Sequence, residues 1–191
     1  MGYLDRLFSG DYLTRARAFV ELTWVEKREE LLPVFCTIAS NEKDEEWRLR
    51  ALEVLAVWRA IDLLPFVESL YHDRDPLVVR GAMWFVITVG SPSDIIRMLI
   101  FAASPQGRII RPETIYELLI QAVQNKNITK NEIFAALNNN DEIARYAGEW
   151  NFKDDDITRL LSIYPSADYF ALRCREHGIP FKEYKKINYR D

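Results

Sequence analysis

The stretch Leu31-Leu32-Pro33 recurs as Leu63-Leu64-Pro65, 32 positions further along the chain. Around each copy, apolar residues follow the spacing i, i+3, i+4 and i+7, which draws one stripe down an α-helix. The same stripe returns after another 32 positions and once more near the end of the chain. The four stripes are Leu31, Val34, Phe35 and Ile38; Leu63, Phe66, Val67 and Leu70; Ile95, Met98, Leu99 and Ala102; and Ile157, Leu160, Leu161 and Tyr164. A period of this length predicts a stack of helical units.

A second pattern precedes each stripe: an aspartate, in three copies an arginine four residues later, and then a small residue. The aspartates are Asp11, Asp44, Asp75 and Asp141, the arginines are Arg15, Arg48 and Arg145, and the small residues are Ala18, Ala51, Ala82 and Gly148. An aspartate suits a helix N-cap, and a small residue at a fixed phase suits close helix packing. If the Asp/Arg ladder is largely exposed, it contributes ~0–1 kcal/mol per pair. We expect its arginines to be structural, and phosphate binding is the alternative.

Each unit is therefore predicted to be an Asp-capped helix, a short turn and a second helix. The predicted first helices are 12–25, 45–60, 76–89, 113–125 and 142–151, and the predicted second helices are 30–40, 62–72, 93–104, 129–138 and 155–163. Pro33 and Pro65 fall in a first turn, where a missing N–H has no partner to lose. Asp62, Ser93 and Thr129 are the expected caps of second helices. Helix 76–89 carries a single charge, Arg80, so we expect it to be central.

These residues resemble the HEAT repeat family, in its short phycobilisome-lyase-like form, whose hallmark is Asp-Pro-x-Val-Arg-x-x-Ala. The segment 75–82 comes closest, although Val79 holds the arginine position and Arg80 is displaced by one; the segment 44–51 keeps Arg48 but has Glu45 for proline. The resemblance implies an all-α fold, a right-handed α–α superhelix (a HEAT-like solenoid) of about five helical hairpins. It implies a single domain over 1–191, with repeats at 11–40, 44–72, 75–104, 111–138 and 141–163 and a C-terminal cap at 164–191.

Composition narrows the class of protein. The 191 residues are 49% hydrophobic and 28% charged, which is typical of a folded soluble chain, and a net charge of −4 argues against a general polyanion binder. Cys36 and Cys174 show neither disulfide nor zinc spacing. The N-terminus is not a secretory signal, and the longest apolar run, 83–89, is far short of a membrane span. We expect a cytoplasmic protein that does not bind membranes.

Catalytic and metal-binding motifs are not recognised. His72 and His177 are the only histidines, and neither joins a metal, nucleophile or phosphate-loop pattern. The run Asp154-Asp155-Asp156 suits a helix start better than a metal site, because consecutive carboxylates do not converge on one ion. Three tryptophans occupy positions that are fixed relative to the repeat, and we expect them in the core: Trp47, Trp84 and Trp150. The sequence therefore predicts no enzyme activity, no catalytic residue, no cofactor and no metal.

One surface follows from the helical phase. On each second helix, the residues opposite the apolar stripe are Pro33, Cys36, Thr37 and Ser40; Pro65, Glu68, Ser69 and His72; and Arg97, Ile100, Phe101 and Ser104. Second helices usually line the concave side of a superhelical stack, which is the habitual binding face. The mixture is typical of a protein-contact surface rather than a basic nucleic-acid groove, with a merely solvated face as the alternative.

The C-terminus departs from the repeat. Residues 173–191 contain six basic and three acidic residues, a net charge of +3, which leaves −7 for the rest of the chain. This segment could be a cap over the last repeat or a basic aromatic tail that contacts RNA or an acidic partner. The favoured function is a non-enzymatic interaction module (an adaptor, inhibitor or immunity protein) whose concave face binds a protein with a basic surface. The alternatives that the family resemblance raises are a HEAT-like DNA glycosylase and a bilin-lyase-type subunit.

Overall fold

A computed structural model describes residues 2–110, 112–125 and 127–139. The chain divides into two compact units, Met1–Trp150 and Asn151–Asp191, and every described residue belongs to the first. The predicted fifth repeat (141–163) and the predicted C-terminal cap (164–191) lie outside the described residues. So do Arg145, Trp150 and the Asp154–Asp156 run, whose predicted roles stay predictions.

The described part of the chain is helical and contains no strand, which confirms the all-α class. Its α-helices are α1 (Tyr3–Leu7), α2 (Tyr12–Thr23), α3 (Leu32–Asn41), α4 (Glu45–Val57), α5 (Leu64–Ser69), α6 (Pro76–Val89), α7 (Pro92–Ala103), α8 (Pro112–Gln124) and α9 (Lys130–Asn139). Short 3-10 helices at Glu29–Leu31 and Ile61–Leu63 lead into α3 and α5, and another at Leu70–His72 continues α5. From α2 onward the helices lie where the repeat predicts them; α1, which carries no stripe, was not predicted.

The aspartates begin the first helices as predicted. The carboxylates of Asp11, Asp44 and Asp75 each accept a hydrogen bond of 2.7 to 2.9 Å from a backbone N–H in the first turn of α2, α4 and α6. Each cap residue has extended backbone angles, as an N-cap requires. The side chain therefore satisfies one of the donors that a helix start leaves without an intrahelical partner.

The second helices begin partly as predicted. Pro33 and Pro65 stand in the first turn of α3 and α5, and Thr129 accepts a hydrogen bond from the backbone N–H of Glu132 at 3.2 Å. The prediction for α7 was wrong, because Ser91 caps it rather than Ser93. Ser91 forms a capping box with an acidic residue three positions later, and Pro92 follows at the first helical position. Asp62 lies inside a 3-10 helix and caps nothing through its side chain.

The first helices contact one another in chain order. Helix α4 packs against α2, α3 and α6, and α6 packs in turn against α4 and α8. Helix α6 also contacts α5 and α7, so it is surrounded on several sides. This position explains why α6 contains only one charged residue, and it confirms the expectation that the helix is central.

The predicted stripes form the core between these helices. Phe35, Val67, Ile95 and Met98 are fully buried, and every other stripe residue on α3, α5 and α7 is buried or half-buried. Burial of a large apolar side chain contributes ~1.5–3 kcal/mol before conformational entropy is subtracted. The stripes are therefore the main source of stability in the described part of the chain.

Small residues allow the first helices to approach closely. Ala18, Ala51 and Ala82 are fully buried at the predicted phase. Beside Ala82, a Cβ atom added at Gly81 would lie 2.7 Å from a side-chain methyl of Leu49 on α4. The contact between α4 and α6 thus depends on residues with little or no side chain.

Two side chains tie the C-terminal ends of first helices to the neighbouring unit. The indole Nε1 of Trp58, at the end of α4, donates a hydrogen bond to the carbonyl of Leu22 in α2 at 2.9 Å. The amide Nδ2 of Asn127, after α8, donates to the carbonyls of Ile87 and Thr88 in α6 at 2.6 and 2.9 Å. Both contacts satisfy carbonyls that a helix end leaves unpaired.

Two of the ladder arginines expose little of their side chains. The Arg15 guanidinium lies 2.6 Å from the Glu42 carboxylate and 4.6 Å from the Trp47 ring centroid, and its side chain is 11% exposed. Arg48 binds both carboxylate oxygens of Asp73 and donates to the carbonyl of Ala39 at 2.7 Å, with 12% of its side chain exposed. These two ladder arginines are therefore not exposed, and the low energy of an exposed pair does not apply to them.

Each of these two arginines joins successive units, because its acidic partner stands two residues before the next capping aspartate. The arginine of the third unit behaves differently. Arg80, displaced by one position, only approaches Glu117 at 3.8 Å, and both side chains are substantially exposed. Val79, which holds the arginine position of the repeat, is fully buried. Arg15 and Arg48 are engaged inside the protein, which favours their structural role over phosphate binding.

Candidate protein-binding face

The predicted face lies on the surface of α3, α5 with its 3-10 extension, and α7. Its exposed members are Pro33, Thr37, Ser40, Pro65, Ser69, His72, Arg97 and Ile100, and its half-buried members are Cys36, Glu68, Phe101 and Ser104. None of these side chains is fully buried. The helical phase therefore located a surface correctly, and contacts between its residues decide what that surface can do.

An ion-pair cluster joins the α5 and α7 parts of this face. The Nη2 atom of Arg97 lies 3.0 Å from a carboxylate oxygen of Glu68 and 2.6 Å from a carboxylate oxygen of Asp94. Sequence analysis named Glu68 and Arg97 but missed Asp94, although the i, i+3 spacing of Asp94 and Arg97 on one helix was a usable signal. Burial works to raise the pKa of Asp94, but hydrogen bonds from Ser91 and the charge of Arg97 outweigh it and lower the pKa.

An aromatic cluster lies on the same two elements. The Phe101 ring stacks on the Tyr71 ring with centroids 4.9 Å apart, and the His72 ring meets Phe101 edge-on at 5.5 Å. The neighbouring Ile100 is 37% exposed. Stacked and edge-to-face aromatic pairs add ~0.5–1.5 kcal/mol beyond their buried area, which holds this cluster in one arrangement. Sequence analysis missed Tyr71, which lies between the apolar stripe and the predicted face.

The hydroxyl of Tyr71 is buried and has no hydrogen-bond partner among the described residues. Burial, followed by the charge of Glu68, raises the pKa of Tyr71 far above its usual value, so this phenol is neutral. The charges of Asp94 and Arg97 also influence the pKa of this hydroxyl. A buried hydroxyl without a partner is costly, so it marks a position where a further polar group would be stabilising.

The small hydroxyl residues of the face are bonded to their own helices. Thr37 and Ser40 donate to the carbonyls of Pro33 and Cys36 at 2.8 and 2.9 Å, and Ser69 and Ser104 donate within their own helical turns in the same way. Such bonds use the hydroxyl hydrogen locally. These residues therefore contribute shape and acceptor oxygens rather than free donors.

Burial raises the pKa of the Cys36 thiol.

The α3 part of the face borders a groove next to α1. The groove has a volume of about 460 Å³ and is lined by Leu4, Asp5, Phe8, Val34 and Thr37. Leu4 and Phe8 are among the exposed large apolar side chains, while Leu7 on the same helix is fully buried. Among the described residues, no hydrogen bond, ion pair or ring contact joins this α3 part to the clusters on α5 and α7.

The ion-pair cluster and the aromatic cluster lie together on α5, its 3-10 extension and α7. We call this part of the face the α5–α7 patch; it consists of Glu68, Tyr71, His72, Asp94, Arg97, Ile100 and Phe101.

Over the described ranges, no group of three or more histidine, cysteine or acidic side chains is arranged to hold a metal ion. No described helix combines the length and the apolar character that crossing a membrane requires.

Comparisons with protein-family models, with curated proteins and with solved structures find no match to this chain. The HEAT resemblance consequently rests on the repeated residues themselves. The function has to be argued from the α5–α7 patch and from charge.

Proposed function

We propose that this chain is a non-enzymatic, HEAT-like solenoid that binds another protein. Support for the architecture comes from first helices that contact one another in chain order, of which α2, α4 and α6 begin with an aspartate cap. The arginine ties from Arg15 to Glu42 and from Arg48 to Asp73 recur at equivalent places in successive units. Repeated ties between neighbours are typical of proteins in which each repeat contacts only the next.

The observation that carries the binding function is the composition of the α5–α7 patch. It presents the exposed His72 ring and the half-buried Phe101 ring together with an exposed isoleucine and an exposed arginine on one surface. Aromatic residues and arginine are enriched at protein interfaces and dominate their binding energy. The exposed Ile100 side chain beside this ring cluster favours a binding surface over a merely solvated face.

Charge indicates the kind of partner. Residues 1–172 carry a net charge of −7, and the patch itself carries two carboxylates against one guanidinium. Complementary charge steers association and disfavours partners of like charge. We therefore propose a protein with a basic surface as the partner, and a cytoplasmic location in which that partner would be met.

The test is site-specific photo-crosslinking with the full chain in its native cells. A photoreactive residue replaces Ile100 in one protein and Leu77 in a matched control, because these two residues are 37% and 39% exposed. We expect one discrete protein adduct from position 100, none from position 77, and loss of the adduct when Phe101→Ala is added. Equal adducts from both positions, or none from position 100, would refute the proposed function.

A further inference from the structure

The ion-pair cluster of the α5–α7 patch uses only one of the guanidinium nitrogens of Arg97. Arg97 contacts both Glu68 and Asp94 through one nitrogen, Nη2, and its Nη1 and Nε atoms donate no hydrogen bond to any described residue. An arginine has five N–H donors in a planar fork and binds a carboxylate best with two parallel bonds. The two carboxylates therefore share a weaker contact than a well-placed guanidinium offers.

The internal arginine is also easy to displace. Its side chain is 56% exposed, and exposed ion pairs contribute ~0–1 kcal/mol because water and side-chain entropy offset the attraction. Glu68 and Asp94 are more buried, with 30% and 13% of their side chains exposed. The acidic groups are thus held in place while their present cation lies largely in solvent.

The Tyr71 hydroxyl is a second, independent sign of a missing group. It is buried, it lacks a hydrogen-bond partner among the described residues, and its oxygen can accept an N–H donor. Its ring stacks against Phe101, which also contacts His72. A guanidinium between the carboxylates would find aromatic faces nearby, and arginine favours such faces more than lysine does.

We propose that the α5–α7 patch recognises an arginine side chain of the basic partner, which replaces Arg97 between Glu68 and Asp94 and packs against Phe101. This inference rests on the proposed function and specifies its chemistry. Arg97 acts as an internal competitor that occupies the acidic pair until the partner arrives. Lysine fits less well, because its ammonium is a compact, strongly hydrated charge without a planar fork.

The test is an NMR titration of the full chain with the peptide acetyl-Arg-Gly-Arg-amide. The matched control peptide contains citrulline, which keeps the shape of arginine and lacks its charge. We expect the arginine peptide to shift the ring signals of Tyr71, His72 and Phe101, and the citrulline peptide to leave them in place. Equal shifts with both peptides, or none with either, would overturn the inference.

Two variants test the competitor role of Arg97. Glu68→Gln should weaken binding of the arginine peptide ~5-fold or more, because it removes one of the two charged acceptors. Arg97→Gln should tighten it ~3-fold or more, because it frees both carboxylates, whereas Arg80→Gln removes the same charge from α6 and should change binding less than 2-fold. An unchanged or weaker affinity of Arg97→Gln contradicts the inference, as does equal tightening by Arg80→Gln.

The same variants separate this inference from the proposed function. If photo-crosslinking from position 100 persists unchanged with Glu68→Gln, the chain still binds a protein through this face, but arginine recognition is refuted. If crosslinking from position 100 fails in the unaltered chain, the proposed function itself is refuted. Circular dichroism of each variant verifies that the helices are retained.

Discussion

Removing the Arg48 side chain tests whether the ladder stabilises the fold. In Arg48→Ala, Asp73 loses two charge-assisted hydrogen bonds and the Ala39 carbonyl loses its 2.7 Å donor. Breaking a fully buried pair costs ~3–5 kcal/mol, whereas an exposed pair is worth ~0–1 kcal/mol. With 12% and 18% of the two side chains exposed, the pair lies nearer the buried limit. We expect Arg48→Ala to lower the free energy of unfolding by ~2–4 kcal/mol.

The matched control is Arg80→Ala on α6. Arg80 approaches Glu117 at 3.8 Å with 38% and 55% of the two side chains exposed, so its loss should cost less than ~1 kcal/mol. The assay is urea unfolding followed by circular dichroism, with double-mutant cycles for Arg48/Asp73 and for Arg80/Glu117. The reasoning fails if the two cycles return the same coupling energy, because burial would then not distinguish the pairs.

The same pair predicts a pH dependence. Burial works to raise the pKa of Asp73, but hydrogen bonds from Arg48 and from the backbone of Asp75 outweigh it and hold the pKa below its usual value. A carboxyl with a lowered folded-state pKa contributes stability that is fully present above its unfolded pKa of ~3.9 and is lost as the pH falls through the folded value. Between pH 5 and pH 3, Asp73→Asn should therefore lose less stability than the unaltered chain loses. An equal loss in the two proteins would show that this carboxyl is not coupled to folding.

Three further substitutions test contacts at helix ends, each by urea unfolding. Asn127→Ala should lower the free energy of unfolding by ~1–3 kcal/mol, because two α6 carbonyls lose their donor. The control Asn125→Ala changes an exposed neighbour and should lower it by less than ~0.5 kcal/mol. Equal losses would contradict the contact. Trp58→Phe should cost ~1–3 kcal/mol because it leaves the buried carbonyl of Leu22 unpaired; no loss would show that this carbonyl finds another donor. Arg59→Gly should stabilise by ~0.5–1 kcal/mol because Arg59, two residues after the end of α4, has a φ of 50°, which glycine adopts at lower cost; a destabilised variant would refute this.

Local signals in the sequence predicted the helices well. An aspartate cap acts on an N–H two or three residues away, and an apolar stripe repeats within two turns, so both are readable without knowledge of the fold. The capping of α7 by Ser91 was also readable, because Ser91-Pro92 with Asp94 three residues after the serine is a capping-box pattern.

Contacts between units were not predictable in the same way. Arg15 and Arg48 find their acidic partners 27 and 25 residues away, and those partners lie outside the repeated motif. The surface positions of Glu68, His72, Arg97, Ile100 and Phe101 followed from helical phase alone. The sharing of Arg97 by Glu68 and Asp94 depends on side-chain conformation, and the missing partner of Tyr71 depends on what surrounds its hydroxyl, so neither follows from spacing.

The ties between units differ in how they respond to dissolved ions. Arg15 and Arg48 hold their neighbours through largely buried opposite charges, which dissolved salt screens much less than the exposed charges of Arg80 and Glu117. Asn127 holds the end of α6 through a neutral amide, which salt does not screen. Concentrated salt should therefore weaken the exposed contact of Arg80 with Glu117 before it weakens the pairs of Arg15 and Arg48, so that in brine the units stay joined by their buried pairs and by the neutral hydrogen bonds of Trp58 and Asn127.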